Sequence, residues 1–300
     1  MGRTLPGEKV RRKSSRASHT RASATSHQAL PRLVTTAPRA LKGRMFSRLF
    51  HRLTGKPTMP TLMHITHPKA GSTWVTIVLH ELFGESVAPR GRGVAEATGG
   101  DLAQHVFEKG LVYPSMFMTR EQVLAHPELN GCKRFIVIRD IRDTLVALYF
   151  SLKMSPRSEG QSPGNELRDA LNDRDEEEGL LYLIDSRIAD IAAIQGSWLK
   201  QGEIVLRYEN LRENGFDLLR DAFIGQLALP VSERALSRAI GSAPIERGRR
   251  TGAVDWRNHF TPKIREQFSA QFGQLLIHAG YENDLAWARE PSSTQSPASL

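Results

Sequence analysis

An apolar strand, a turn of small residues and a helix follow one another without a break between Thr61 and Phe83, TLMHITHPKAGSTWVTIVLHELF. Leu62, Met63 and Ile65 suit a short buried strand. Pro68-Lys69-Ala70-Gly71-Ser72-Thr73 makes the turn, and Trp74 to Phe83 carries apolar residues at helical spacing. A helix begun in this way directs free backbone N–H groups and the positive end of its dipole into the turn, so an anion can rest there with Lys69 as counter-charge. The loop is not a Walker A motif, which sets Lys directly before Ser or Thr, because Lys69 precedes Gly71. Taken alone, the stretch also suits an ordinary strand-to-helix turn.

A second strand-length apolar run, Lys133 to Ile138, leads at once into Arg139-Asp140-Ile141-Arg142-Asp143 and the helical TLVALYFSLKM. An arginine at the carboxyl end of a parallel strand lies where α/β sheets bind ligands, and guanidinium offers paired donors to a phosphate that Asp140 or Asp143 would brace. The other reading of Arg139 to Asp143 is a charged helix start with ion pairs three residues apart. Glu203 to Arg207, EIVLR, makes a third strand running into Tyr208-Glu209-Asn210-Leu211. Helices are expected at Asp101 to Lys109, from Thr119, at Leu180 to Leu199, Phe216 to Leu227 and Val231 to Ile240, and from Thr261-Pro262 to about Ala279 with Gly280 as the stop. Ser155 to Glu178 reads as a weakly structured connection with one short helix at most.

The net charge of +9 is unevenly placed. Residues 1–56 hold 14 Lys or Arg and one acid, net +13, whereas residues 57–300 hold 27 bases and 31 acids, net −4. The basicity belongs to the tail, so the folded domain is not expected to bind nucleic acid. Residues 1–56 bury too little apolar surface to order themselves. Their composition suits a transit peptide for organellar import, a mis-assigned upstream start or a solvated tail. Within the tail, residues 40–53 form a basic amphipathic helix by period, able to pack on the domain or to rest weakly on an anionic membrane surface. No apolar run reaches the roughly 20 residues that span a bilayer, and no signal-type apolar stretch follows Met1. The single cysteine, Cys132, fits a reducing compartment, and a cytoplasmic location is expected. The domain extends over 57–290, and 291–300 is a polar, disordered tail.

Four pieces, HPKAGSTW at 67–74, FIVIRDIRD at 135–143, VLRYENL at 205–211 and RRTGAVDWRNHF at 249–260, resemble in order and spacing the motifs of the soluble sulfotransferases that use 3′-phosphoadenosine 5′-phosphosulfate, PAPS. The resemblance covers about residues 61–283. It implies a single P-loop-like α/β domain with a central parallel sheet flanked by helices. It implies Lys69 at the bridging oxygen of the phosphosulfate, and Ala70, Gly71, Ser72 and Thr73 around the 5′-phosphate. It further implies Trp74 and Tyr208 against the adenine, and Arg139 with Arg249, Arg250 and Gly252 on the 3′-phosphate. The implied reaction moves a sulfuryl group to an acceptor hydroxyl or amine, releases PAP and needs no metal.

The chain departs from that pattern in three places. Ala147 stands where the family carries a serine that contacts the 3′-phosphate, and the glycines of the last loop are displaced, which leaves open which of Arg249 and Arg250 meets the phosphate. The histidine that serves the family as base is absent from the matching stretch VYPSMFM, where Ser115 stands. His105 is the expected substitute, with Glu96 and His80 behind it, or it is a surface or packing histidine. The alternatives are a protein that holds PAP or PAPS without acceptor chemistry, and a P-loop kinase, against which the missing Walker glycine argues. The acceptor class, a small molecule, lipid or carbohydrate, and the oligomeric state are not legible in the sequence; Phe107, Met116, Phe117, Met118 and Met154 lean slightly toward an apolar acceptor.

Overall fold

The computed structural model describes residues 59–88, 106–154, 163–243 and 255–289, all within the compact unit that begins at Pro57. The sequence expectations for residues 1–56, for 101–105 and for 291–300 lie outside the described residues. Four parallel strands form the sheet: β1 (Leu62–Thr66), β2 (Val112–Met116), β3 (Lys133–Ile138) and β4 (Val205–Arg207), in the order β2-β1-β3-β4. The chain leaves β1 for the β2 side and returns to the other side for β3. The switch point of the topology therefore falls between β1 and β3, and the carboxyl ends of these two strands frame the crevice where α/β sheets take ligands.

Helix α1 (Ser72–Phe83) follows β1 directly, and α3 (Ile141–Met154) follows β3 after two residues, with the short α2 (Arg120–Leu124) between. Beyond them come α4 (Pro163–Asn172), α5 (Glu176–Leu183), α6 (Ala189–Trp198), α7 (Tyr208–Arg220), α8 (Glu233–Ser242) and α9 (Pro262–His278). Both faces of the sheet are covered. Leu62, Phe135 and Val137 pack on Val75, Val78 and Leu79 of α1 and on Leu211 and Leu219 of α7, while Met63, Ile65, Ile136 and Ile138 meet Met116, Met118 and Trp198 on the other face. Val78 and Leu79 are fully shielded, so each contributes about 1.5–3 kcal/mol of apolar burial. The helices α3, α5 and α9 share a further core in which Arg142 is sandwiched between the rings of Trp256 and Trp287.

Several boundaries differ from the sequence expectations. β2 was not among the expected strands, and EIVLR is the fourth strand, confined to Val205–Arg207 because Glu203 turns its carboxylate to Arg134 and Arg120. Pro114 inside β2 is tolerated since β2 is the sheet edge. Residues 106–109 are not helical. The helix expected over Leu180 to Leu199 begins earlier and passes through a π-helical turn, Ile184–Ile188; the one expected from Phe216 follows a kink at Asn214 (φ −130°, ψ 39°), which divides it from a first segment begun at Tyr208, and it ends in a second π turn, Asp221–Gln226. Capping follows the sequence: Thr119 and Gln122 exchange side-chain-to-backbone bonds in a capping box, and Ser232 and Thr261 accept the N–H groups of Ala235 and Ile264.

Candidate functional site

The loop after β1 is wound by two left-handed residues, Lys69 at φ 68° and Gly71 at φ 82°. Gly71 has a second reason to be glycine: a β-carbon there would lie 2.4 Å from the ring of Tyr208. Its carbonyl accepts the N–H groups of Trp74 and Val75, whereas those of Ser72 and Thr73 have no backbone partner among the described residues. These free donors open a twelve-residue helix, so its positive end faces the loop. The Lys69 side chain, partly buried, donates from Nζ to Ser151 Oγ at 2.5 Å. Burial, and then the charge of Arg139, hold its pKa below the ordinary lysine value. An anion placed beside it would reverse that trend.

Arg139 ends β3 as expected, and it is tied to the loop. Its Nη1 donates to the Lys69 carbonyl at 3.0 Å, its backbone N–H to His67 Nε2 at 3.3 Å, and its guanidinium lies 5.1 Å from the centre of the Tyr208 ring. Its Nε is buried without a partner among the described residues. A buried guanidinium donor without a partner is costly, which makes this Nε a candidate donor to an anion.

The expected brace on Arg139 is not formed, and neither are ion pairs three residues apart. Asp140 closes on Arg142 instead, with Nε at 3.0 Å and Nη2 at 2.7 Å, and Glu282 completes the set at 2.5 Å. Arg142 is 1% exposed, and a buried cation without partners would cost several kcal/mol, so it claims the nearest carboxylate. Asp143 accepts the backbone N–H of Trp256 at 3.0 Å. Burial, and next the charge of Asp140, push its pKa up to about 6 against the pull of Arg139.

Other sequence candidates separate. Trp74 is built into the core at 7% exposure, its indole N–H on the Ala243 carbonyl, while Tyr208 lies between Gly71 and Arg139. Ala70 is buried and Ala147 is 3% exposed. His80 is exposed in the last turn of α1, about 12 Å along the axis from the loop end, and so is removed from Lys69. Arg249, Arg250, Gly252, His105 and Glu96 lie outside the described residues.

Three features escaped the sequence reading. Ser151 stands one turn beyond Ala147 on the same face of α3, and the spacing i, i+4 was its only signal. Ser115 occupies a bulge: from Met63 to Ile65, β1 is matched by Tyr113 to Met116 on β2, and the extra length puts Ser115 at φ 58°. There its Oγ meets Thr76 Oγ1 at 2.9 Å and its N–H donates to His64 Nδ1 at 3.1 Å. His64 is fully buried against Phe135, and burial pushes its pKa down to about 3, so it stays neutral at any working pH. The third is His67, whose ring bonds reach both Arg139 and Gln195.

Among the described residues no helix is long and apolar enough to cross a membrane. No family model matches the chain, and no curated protein matches it by sequence. Among solved structures it is similar to mouse sulfotransferase SULT7A1 complexed with PAP, at 15% identity and a TM-score of 0.53, over 77% of this chain and 88% of the other. At that identity the likeness shows the fold alone: a central parallel sheet flanked by helices, α/β.

Proposed function

We propose that the protein is a sulfotransferase that uses PAPS as donor and an alcohol or amine as acceptor. The observation that carries this reading is the pair of cations at the switch point, Lys69 after β1 and Arg139 after β3, joined by the bond from Arg139 Nη1 to the Lys69 carbonyl. They stand beside the free N–H groups of Ser72 and Thr73, and the orphaned Nε of Arg139 fits a second phosphate. Bound there, PAPS supplies a phosphosulfate whose sulfuryl group passes to the acceptor while the sulfur–oxygen bond to the 5′-phosphate breaks. Lys69 and the start of α1 stabilise the negative charge that gathers on the departing oxygen, a stabilisation made in the transition state and hence expressed in rate. Arg139, with Arg249, Arg250 and Gly252, anchors the 3′-phosphate, and Tyr208 borders the base.

Purified protein given labelled PAPS and a mixed acceptor panel yields PAP and sulfated product under this reading; product formation undiminished in Lys69→Ala would refute the mechanism. One observation favours a second reading, a PAP- or PAPS-binding protein without acceptor chemistry. Among the described residues the only side-chain hydrogen-bond partner of Lys69 is the hydroxyl of Ser151, and Ser115 replaces the sought base. His105 is the base under the first reading, so tight PAP binding without turnover over a broad panel selects the second. The basic residues 1–56 are assigned to the tail of a cytoplasmic protein. Their deletion leaves PAP affinity unchanged, and loss of anionic-vesicle binding in the deletion assigns residues 40–53 to a membrane surface.

A further inference from the structure

His67 belongs to the loop motif but cannot grip a phosphate, because its ring is wholly buried. It touches three elements. Nδ1 lies 3.0 Å from the Pro68 carbonyl, which can only accept, so Nδ1 carries the proton and Nε2 presents its lone pair. That lone pair receives the backbone N–H of Arg139. The Gln195 amide on α6 reaches the same nitrogen at 2.9 Å with Oε1 foremost, leaving its buried Nε2 without a partner among the described residues. Two acceptors cannot share that contact, and an amide's two ends exchange by a half-turn. With the NH2 toward His67, the orphaned nitrogen gains a partner in the ring Nε2 lone pair, which it shares with the Arg139 N–H as a three-centre contact, at 2.9 and 3.3 Å. Burial holds the His67 pKa down at about 4, in keeping with a neutral ring.

We propose that His67, backed by Gln195, is a positioning residue that fixes the spacing between the loop carrying Lys69 and the strand end carrying Arg139. The proposal rests on the PAPS reading above. A ligand with two phosphates engages both cations at once, and its affinity depends on their being held at one separation before it arrives. A ligand with a 5′-phosphate alone uses the loop and is indifferent to the spacing. The two classes of ligand therefore separate positioning from general weakening of the fold.

Calorimetry on the full chain with PAP and with adenosine 5′-monophosphate as probes tests this. His67→Asn keeps a donor near Nδ1 for the Pro68 carbonyl but loses the acceptor for Arg139. Its PAP affinity is expected to fall about tenfold, the loss of one buried hydrogen bond, with the monophosphate affinity within about twofold of wild type. Gln195→Leu, which removes the one side-chain hydrogen bond of Gln195 among the described residues, is expected to lower PAP affinity about threefold with the same selectivity, and His67→Gln, which restores an acceptor near Nε2, to recover part of the loss. Equal weakening of both ligands, or no weakening of PAP, in a variant with wild-type circular dichroism overturns the proposal; should His67→Asn not fold, Gln195→Leu decides alone. A wild-type chain that binds the monophosphate but gains nothing from the second phosphate overturns the PAPS reading itself, a result obtained before any variant is made.

Discussion

The two ends of the β1 neighbourhood are built differently. On the β3 side, loop and arginine are cross-tied through Arg139 Nη1 on the Lys69 carbonyl, the His67 ring and the Tyr208 face. On the β2 side, the edge strand bulges at Ser115, whose hydroxyl meets only Thr76 among the described residues, with a neutral His64 behind. Under the proposed function the first region is the donor side, where cations tied in place would stabilise an anion without reorganising. The second carries hydroxyls on a bulged edge and is the side that reading leaves to the acceptor.

The largest expected effect breaks the first region alone. Lys69→Ala lowers the rate of sulfuryl transfer about 10²–10³-fold while PAP affinity falls much less, measured by single-turnover kinetics beside calorimetry; a rate loss matched by an equal affinity loss would make Lys69 a binding group only. Arg139→Ala costs PAP binding about 2–4 kcal/mol, since it removes a partly buried cation and both ties of the guanidinium. Unchanged PAP affinity would move the 3′-phosphate elsewhere.

Acid titration compares the regions directly. His67 and His64 have folded pKa values near 4 and 3, below the unfolded 6.5, so the unfolded chain takes up protons first and stability is lost as pH falls from about 6.5 toward 3. Asp143, raised to about 6 from 3.8, works the other way over pH 6 to 4, where the folded state takes up its proton first. Two groups outweigh one, and the urea midpoint drops on acidification; His64→Leu flattens that limb without touching PAP affinity. A midpoint that holds level from pH 6.5 to 4 contradicts the assignment of both imidazoles as neutral. Ser151→Ala removes one bond to the Lys69 ammonium and costs about 1 kcal/mol in transition-state stabilisation, read from kcat/KM for PAPS. The smallest effect belongs to the bulge: Ser115→Gly relieves a left-handed residue but loses the Thr76 bond, each worth about 1 kcal/mol, and leaves the thermal midpoint nearly unmoved.

Legibility followed contiguity. β1, its loop and α1 are one stretch of chain, as are β3, Arg139 and α3, and periodicity with small-residue turns marked both. β2 escaped because Pro114 and the left-handed Ser115 interrupt the alternation that announces a strand. Asp140 was paired with the wrong arginine because the preference was set by burial: only the packing of Trp256 and Trp287 around Arg142 shows that it needs the carboxylate more. Ser151 and Gln195 meet the site across long stretches of sequence, which no local pattern reports.

The Tyr208 ring does two jobs with two surfaces. Its edge fills the space beside Gly71, and its face supports Arg139. A library randomised at both positions should therefore return linked pairs, with Asn or Asp, which tolerate the left-handed φ, accepted at 71 only alongside a small residue at 208, and those pairs should carry a guanidinium that has lost its shelf. The loop and the arginine are thus not free to vary separately.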